Sequence, residues 1–172
     1  ADFSGIDQSP VSLIPTGELA DVAPTVLGLA DIPVPVEMTG RNLVETAGNP
    51  GRPRTKVLLL ILDGWGRRED AFGNMIVEAP TPRFDKLWAM CPHATLDSFG
   101  EAVGMPQGTV GNSEAGHLHL GAGRRVLLDR VKIDKAIANG SFFRNEAFLR
   151  AAEEARKNDK ALHLMGIVSH YS

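Results

Sequence analysis

An α/β fold, a mainly parallel sheet with helices on both faces, is what this sequence predicts, and three observations predict it. Val57–Leu62 is an unbroken apolar run, the composition of a parallel strand buried on both faces. Ala161–Val168 is a second such run, and the segments between the two carry apolar residues at helical spacing. Strands alternating with helices point to a sheet sandwiched by helices. At 172 residues, with 43% hydrophobic and 23% charged residues, the chain can bury one substantial core and reads as one domain or part of one.

The elements follow in chain order. Pro10–Ile14 reads as an extended piece, followed by a helix carrying Val22, Val26, Leu27 and Leu29. Asp21 is its expected N-cap, and Pro24 is tolerated because it falls in the first turn. A Pro-rich loop closes this unit near residue 46. Residues 47–55 contain no large apolar side chain and read as a linker. The first apolar strand then stops abruptly at Asp63-Gly64-Trp65-Gly66. Thr81-Pro82 is a cap followed by proline at the first helical position, so a helix starts there, with Phe84, Leu87 and Trp88 on one face as core. His93–Phe99 suits a short strand, and Gly100–Gly111 a glycine-rich loop. Residues 114–120 suit a helix, with Gly121–Gly123 ending it or marking close packing. A helix is expected over Arg130–Ala138, stopping at Asn139-Gly140. Asn145 caps another, with Phe148, Ala151, Ala152 and Ala155 on one face and Glu153, Glu154, Arg156 and Lys157 on a solvated one.

Composition narrows the function classes. A formal net charge of −3, with basic residues scattered among acids, leaves no electrostatic footprint for nucleic acid or an anionic membrane. No apolar run approaches the roughly 18 residues needed to span a bilayer, and the acidic start lacks the basic flank of a signal peptide, so a cytoplasmic location is expected. The single cysteine, Cys91, excludes an internal disulfide framework and reads as a small hydrophobe beside Trp88.

Two motifs carry chemistry. Gly111-Asn112-Ser113-Glu114-Ala115-Gly116-His117 places a serine at a loop-to-helix junction, where the N–H groups of the first turn and the positive dipole end favour an anion. Ser113 is thus a candidate phosphoryl carrier, or else simply a helix cap. Asp63 lies just past the carboxyl end of the first apolar strand, where open α/β sheets bind ligands, and reads either as a metal ligand or as part of an Asp-Gly turn. His117 and His119 are two apart and so do not share a helical face; both read as packing or helix-interior residues, not ligands. Glu114 suits the helix's first turn, and Arg124 reads as exposed or salt-bridged in preference to a phosphate contact. No Gly-Lys-Ser/Thr phosphate loop, Gly-x-Ser-x-Gly elbow or Gly-x-Gly-x-x-Gly motif is present.

From about Lys56 to Ser169 the chain closely resembles the N-terminal part of cofactor-independent phosphoglycerate mutase, a family of the alkaline phosphatase superfamily. The resemblance is carried by Leu60–Gly66, Ala79–Leu87, Val110–Gly123, Ile133–Ile137, Gly140–Phe143 and Ala161–Gly166. Gly17–Leu27 and Glu37–Val44 resemble the C-terminal end of the same family. The resemblance therefore implies a permuted order: a tail-like segment 1–46, a linker 47–55 and a head-like segment 56–172. These would form one discontinuous domain, a partial alkaline-phosphatase-like sandwich without the substrate-cradle domain. Either a permutation or a junction of two fragments yields this order. Chain ends that lie close together make permutation tolerable.

The family interconverts 3-phosphoglycerate and 2-phosphoglycerate through a phosphoserine with two manganese ions. By resemblance Ser113 is the nucleophile, and Asp63 and Ser113 are ligands of one Mn2+; no substrate-binding residue is assigned. Ile6-Asp7-Gln8-Ser9 stands where the family has a ligand histidine, and His170-Tyr171-Ser172 where it runs on into its second domain. At most a partial metal site is thus implied, with the remainder of the enzyme as a partner. Three readings stay open: a mutase segment incomplete alone, a minimal metal-dependent phosphatase, and a noncatalytic assembly segment.

Overall fold

The computed structural model describes residues 11–45 and 56–167. The linker 47–55, Ile6–Ser9 and His170–Ser172 lie outside the described residues. The chain divides into two compact units, Ala1–Leu128 and Asp129–Ser172.

In the first unit, β1 (Ser12–Leu13) pairs antiparallel with β3 (Val44–Glu45), placing Ser12 opposite Glu45 and Leu13 opposite Val44. The Ser12 hydroxyl donates to Glu45 Oε2 at 2.8 Å. β2 (Thr16–Glu18) pairs parallel with β4 (Thr95–Asp97), with Gly17 opposite Leu96. The N-terminal stretch is therefore tied into the part of the chain that carries the Ser113 motif.

After β2 the chain makes a 3-10 turn, Leu19–Asp21, and runs directly into α1 (Val22–Leu29). Asp21 precedes α1 as expected, but its backbone is already helical (φ −81°, ψ −13°) and its side chain makes no cap bond to α1. The carboxylate instead accepts from the backbone N–H of Glu18 at 2.9 Å and of Arg41 at 2.7 Å, with the Arg41 guanidinium 3.7 Å away. Its job is to fasten the turn to the returning segment 39–43. Thr25 completes the fastening, its hydroxyl donating to Asp21 O at 2.7 Å and accepting from Leu43 N at 2.9 Å.

The core sits between these residues and α4 (Ser113–Ala122). Ala20, Pro24, Leu43, Ala102, Val103, Ala115 and His119 are buried there, and α4 packs on both the 3-10 turn and α1. His119 lies at its centre, fully buried. Its Nδ1 is 2.7 Å from Ala115 O and its Nε2 accepts from Val126 N at 3.0 Å, so the two bonds require the uncharged Nδ1–H tautomer. α4 ends at Gly123 in the left-handed region (φ 60°), where a Cβ would lie 2.6 Å from the Met38 sulfur.

Three expectations need correction. Val57–Leu62 forms no strand, and its side chains are exposed, Leu58 to 89%. In the second unit, residues 161–167 of the second apolar run likewise form no strand, and Met165 is 99% exposed. A parallel strand exists only where a neighbour completes its ladder. Among the described residues the pairings are confined to two 2-stranded sheets, one parallel and one antiparallel, so no mainly parallel sheet forms around either run. The fold class remains α/β at that coarser level. Third, α3 (Pro82–Met90) begins with Thr81 and Pro82 as read but buries no residue: the face bearing Phe84, Leu87 and Trp88 is only partly covered, by Trp65, His93 and Arg67. The short α2 (Met75–Glu78) precedes it, capped by Asn74, whose side chain accepts from Val77 N.

The second unit holds α5 (Asp129–Ala138), a 3-10 turn at Phe142–Arg144 and α6 (Glu146–Lys157). Asn145 caps α6 as predicted, accepting from Ala147 N at 2.9 Å. Phe142 meets Phe148 edge-on at 5.3 Å, which pins the turn to the apolar side of α6.

The central histidine makes the first unit sensitive to one substitution. His119→Leu strands the Val126 N–H and is expected to cost about 1–3 kcal/mol. Arg125→Ala removes an exposed ion pair and is expected to cost under about 1 kcal/mol. Urea unfolding of the two variants should rank them in that order; the reverse order would show that the histidine's bonds do not carry the core.

Candidate active site

Ser113 is the first residue of α4, and the residue before it decides its role. Asn112 is the N-cap: its backbone is extended (φ −139°, ψ 168°) and its side-chain oxygen accepts from Ala115 N at 2.8 Å. The capping reading of Ser113 is thereby overturned, and the hydroxyl is left for other work. The N–H groups of a helix's first turn have no partners within the helix, so an oxyanion carried on Ser113 meets donors there.

The approach to α4 is set by Gly111. A Cβ on it would fall 2.0 Å from Ser98 O, so the backbone at the end of β4 and the entry to α4 are in direct apposition. The glycine is needed for that closeness and not for its φ, which is ordinary.

Fifty positions upstream, Asp63 stands in a tight turn. Trp65 N donates to Leu62 O at 3.0 Å across it, and Gly64 takes φ +79°, which an L side chain rarely adopts. This turn brings the Asp63 carboxylate to Ser113: the Ser113 hydroxyl donates to Asp63 Oδ2 at 2.8 Å. The two residues singled out from sequence as the reactive pair are thus in contact, and both are exposed.

The neighbouring candidates resolve differently. His119 is interior as expected, whereas His117 is exposed, its Nδ1 2.7 Å from Ser113 O one turn back. The packing reading of His117 is therefore corrected: position i+4 faces the same side as Ser113, which α4 leaves open to solvent. Glu114 lies in the first turn of α4, as expected, and Arg124 is exposed. Its neighbour Arg125 bonds Glu18 through both Nε, 2.7 Å from Oε2, and Nη2, and that hydrogen bond holds the guanidinium above its ordinary pKa against the opposing effect of burial. This pair, with Asp21 and Arg41, borders a shallow cavity of about 310 Å³ whose lining includes neither Asp63 nor Ser113.

Sequence reasoning missed the aromatic series beside the Asp63 turn. Trp65 lies 5.1 Å from Phe84, Phe84 stacks 6.1 Å from Trp88, and Trp88 stacks 3.8 Å from His93. The Arg67 guanidinium sits 5.3 Å above Trp88. The i, i+4 spacing of Phe84 and Trp88 is the available signal, and from sequence it reads equally as a core face.

A carboxylate and a hydroxyl suit one edge of a hard divalent cation's oxygen shell, but such cations take roughly six or more oxygen ligands. Among the described residues no group of three or more His, Cys, Asp or Glu gathers to supply the rest. The donor set present does not complete a metal site.

Residues 55–170 match the metalloenzyme superfamily. The chain belongs to that superfamily. It is 52% identical over 114 residues to the 2,3-bisphosphoglycerate-independent phosphoglycerate mutase 1 of Methanosarcina barkeri. It is 48% and 50% identical over 113 residues to the 2,3-bisphosphoglycerate-independent phosphoglycerate mutases of Coxiella burnetii and Idiomarina loihiensis. Each match takes in 66% of this chain and 22% of the relative, so the chain spans about a fifth of the length of these curated relatives. Both Asp63 and Ser113 fall within the superfamily match. No helix among the described residues is long and apolar enough to cross a membrane.

Two substitutions separate the parts of the Ser113 platform. Asn112→Ala should cost about 1 kcal/mol through the lost cap. Gly111→Ala must push α4 away from Ser98 and should cost about 1–3 kcal/mol. Thermal unfolding followed by circular dichroism checks both, and an unchanged Gly111→Ala midpoint would contradict the close apposition.

Proposed function

We propose that this chain is the nucleophile-bearing segment of a phosphoglycerate mutase, interconverting 3-phosphoglycerate and 2-phosphoglycerate through a phosphoserine at Ser113. The observation that carries the reading is the 2.8 Å bond from the Ser113 hydroxyl to Asp63 at the N-terminus of α4. The near 50% identity to named phosphoglycerate mutases across both motifs supports it.

Each residue has a part. Asp63 orients the hydroxyl and holds its proton as the bond from Ser113 Oγ to phosphorus forms and the substrate's ester oxygen–phosphorus bond breaks; the departing glycerate oxygen takes up a proton. The first turn of α4 faces the phosphoryl oxygens with N–H groups and the positive end of its dipole. Covalent capture divides one difficult transfer into two easier ones, and the reverse step returns the phosphoryl group to the other glycerate hydroxyl. Asp63 and Ser113 would form one edge of a manganese site whose other ligands come from outside the described residues. When bound, such a cation would favour the deprotonated hydroxyl and offset phosphoryl charge.

The same reading places Val57–Leu62 in an alkaline-phosphatase-like sandwich of the complete, cytoplasmic, glycolytic enzyme, beside strands that the rest of that enzyme would provide. It also takes segment 1–46 as the counterpart of the family's C-terminal end, and the parallel pairing of β2 with β4 supports that reading. A second reading, a noncatalytic assembly segment, is favoured by a different observation: Leu58, Leu60, Leu164 and Ile167 are 74–90% exposed, the condition of surface awaiting a partner.

Intact-mass measurement after incubation with manganese and 3-phosphoglycerate tests the proposal. A phosphoryl adduct is expected on the parent, none on Ser113→Ala, and formation about 10²-fold slower or more on Asp63→Asn. Release of inorganic phosphate with no 2-phosphoglycerate would identify a metal-dependent phosphatase instead. Absence of any adduct, with or without the remaining mutase segments added back, would leave the assembly reading standing.

A further inference from the structure

We infer that Trp65 is the positioning residue of the site: its indole, clamped on Phe84, holds the turn that presents the Asp63 carboxylate to Ser113. The inference deepens the function proposed above, since it concerns the same carboxylate and hydroxyl.

The reasoning starts from how little else steadies Asp63. The residues leading into it, Val57–Leu62, are in no strand and exposed, so no sheet ladder fixes their direction. Gly64, at φ +79°, has no heavy atom within 4 Å of the place a Cβ would occupy, so the turn is not wedged from that side either. What the turn does have is two backbone bonds of its own, Trp65 N to Leu62 O and Gly66 N to Gly64 O, both 3.0 Å, and, on Trp65, a ring 5.1 Å from Phe84 at 51°. An aromatic pair at such a distance contributes about 0.5–1.5 kcal/mol beyond its buried area.

Phe84 is itself anchored. It sits on α3, one turn before Trp88, whose ring is covered by His93 at 3.8 Å and by the Arg67 guanidinium. Arg67 belongs to the same turn region as Trp65, so the contacts close a loop from the Asp63 turn to α3 and back. Trp65 is 37% exposed, so Phe84 covers one side of its ring and leaves the rest in solvent. Trp65 touches neither reacting atom and acts through Asp63.

A thiol at position 113 reads this coupling without any catalysis. A carboxylate beside a thiol disfavours the thiolate, so alkylation of the Ser113→Cys thiol by iodoacetamide, followed at that peptide apart from Cys91, reports the proximity of Asp63. Adding Asp63→Asn should speed alkylation roughly threefold near neutral pH, from the larger thiolate fraction. Adding Trp65→Ala should produce the same increase, and adding Trp65→Phe, which keeps a ring against Phe84, should leave the rate as it was. Combining Trp65→Ala with Asp63→Asn should give no more than Asp63→Asn alone. The inference is overturned by an unchanged rate in Trp65→Ala, or by an increase that multiplies with that of Asp63→Asn, which would mean general loosening. If circular dichroism shows Trp65→Ala unfolded, Phe84→Leu is read in its place by the same criteria. A parent that forms no phosphoserine but obeys this pattern would sink the proposed reaction and leave the role of Trp65 intact.

Discussion

The packing of α4 on the Leu19–Asp21 turn is the constraint on which the first unit depends. It joins residues about a hundred positions apart, and nearly every buried side chain of the unit lies along that seam, from Ala20 and Pro24 to Val103, Ala115 and His119. His119 closes the seam to solvent while satisfying both ring nitrogens, a condition a buried imidazole must meet. The return of the chain is tied to it by Gly40 N bonding Gly123 O at 2.9 Å, an approach so close that a Cβ on Gly40 would lie 2.1 Å from Ala20 O. A helix held firmly at its middle and its carboxyl end can leave its first turn open. That is where Ser113 stands.

Two aspartates show how the same side chain is assigned to structure or to chemistry. Asp21 has a 6% exposed side chain whose two oxygens are engaged by two backbone N–H groups and a guanidinium. Its lone pairs are largely committed, and moving it would loosen the turn, the 39–43 segment and α1 together. Asp63 is exposed and accepts from the Ser113 hydroxyl through Oδ2, and a carboxylate so placed has further lone pairs open to a ligand. Both carboxylates neighbour a turn and an apolar stretch in sequence, so residue type alone does not tell them apart. Exposure does.

What was legible in the sequence was what is decided locally. Thr81-Pro82 and Asn145 mark helix ends that fall as read, and of the Gly121–Gly123 run it is Gly123 that ends α4, with Gly121 still inside the helix. The Asp63 and Ser113 motifs were legible because each is a short run whose backbone geometry follows from its own glycines and cap. Asp21 misled because a helix preceded by a 3-10 turn moves the capping position back, and the carboxylate followed it. Val57–Leu62 and residues 161–167 have the composition of buried strands, yet burial is a property of neighbours. An apolar run states what a strand would need, and the described residues do not provide it.

The mismatch also explains why the site is unequal in firmness. Its serine half rests on a capped helix, a buried seam and a glycine pressed against Ser98. Its aspartate half follows an unladdered stretch and is steadied by one turn and by rings that are themselves partly solvent-facing. In a parallel sheet, ladder hydrogen bonds on both sides of a strand fix the residue at its carboxyl end, which is why such ends are good places for ligand groups. Where the ladder is missing, a side-chain contact must do that work, and a ring pair worth about 1 kcal/mol is of the order of thermal energy and not far above it. An exposed bond held by such a contact is expected to open more readily than the buried His119 bonds, and the reaction proposed at Ser113 would depend on how often the carboxylate is in place.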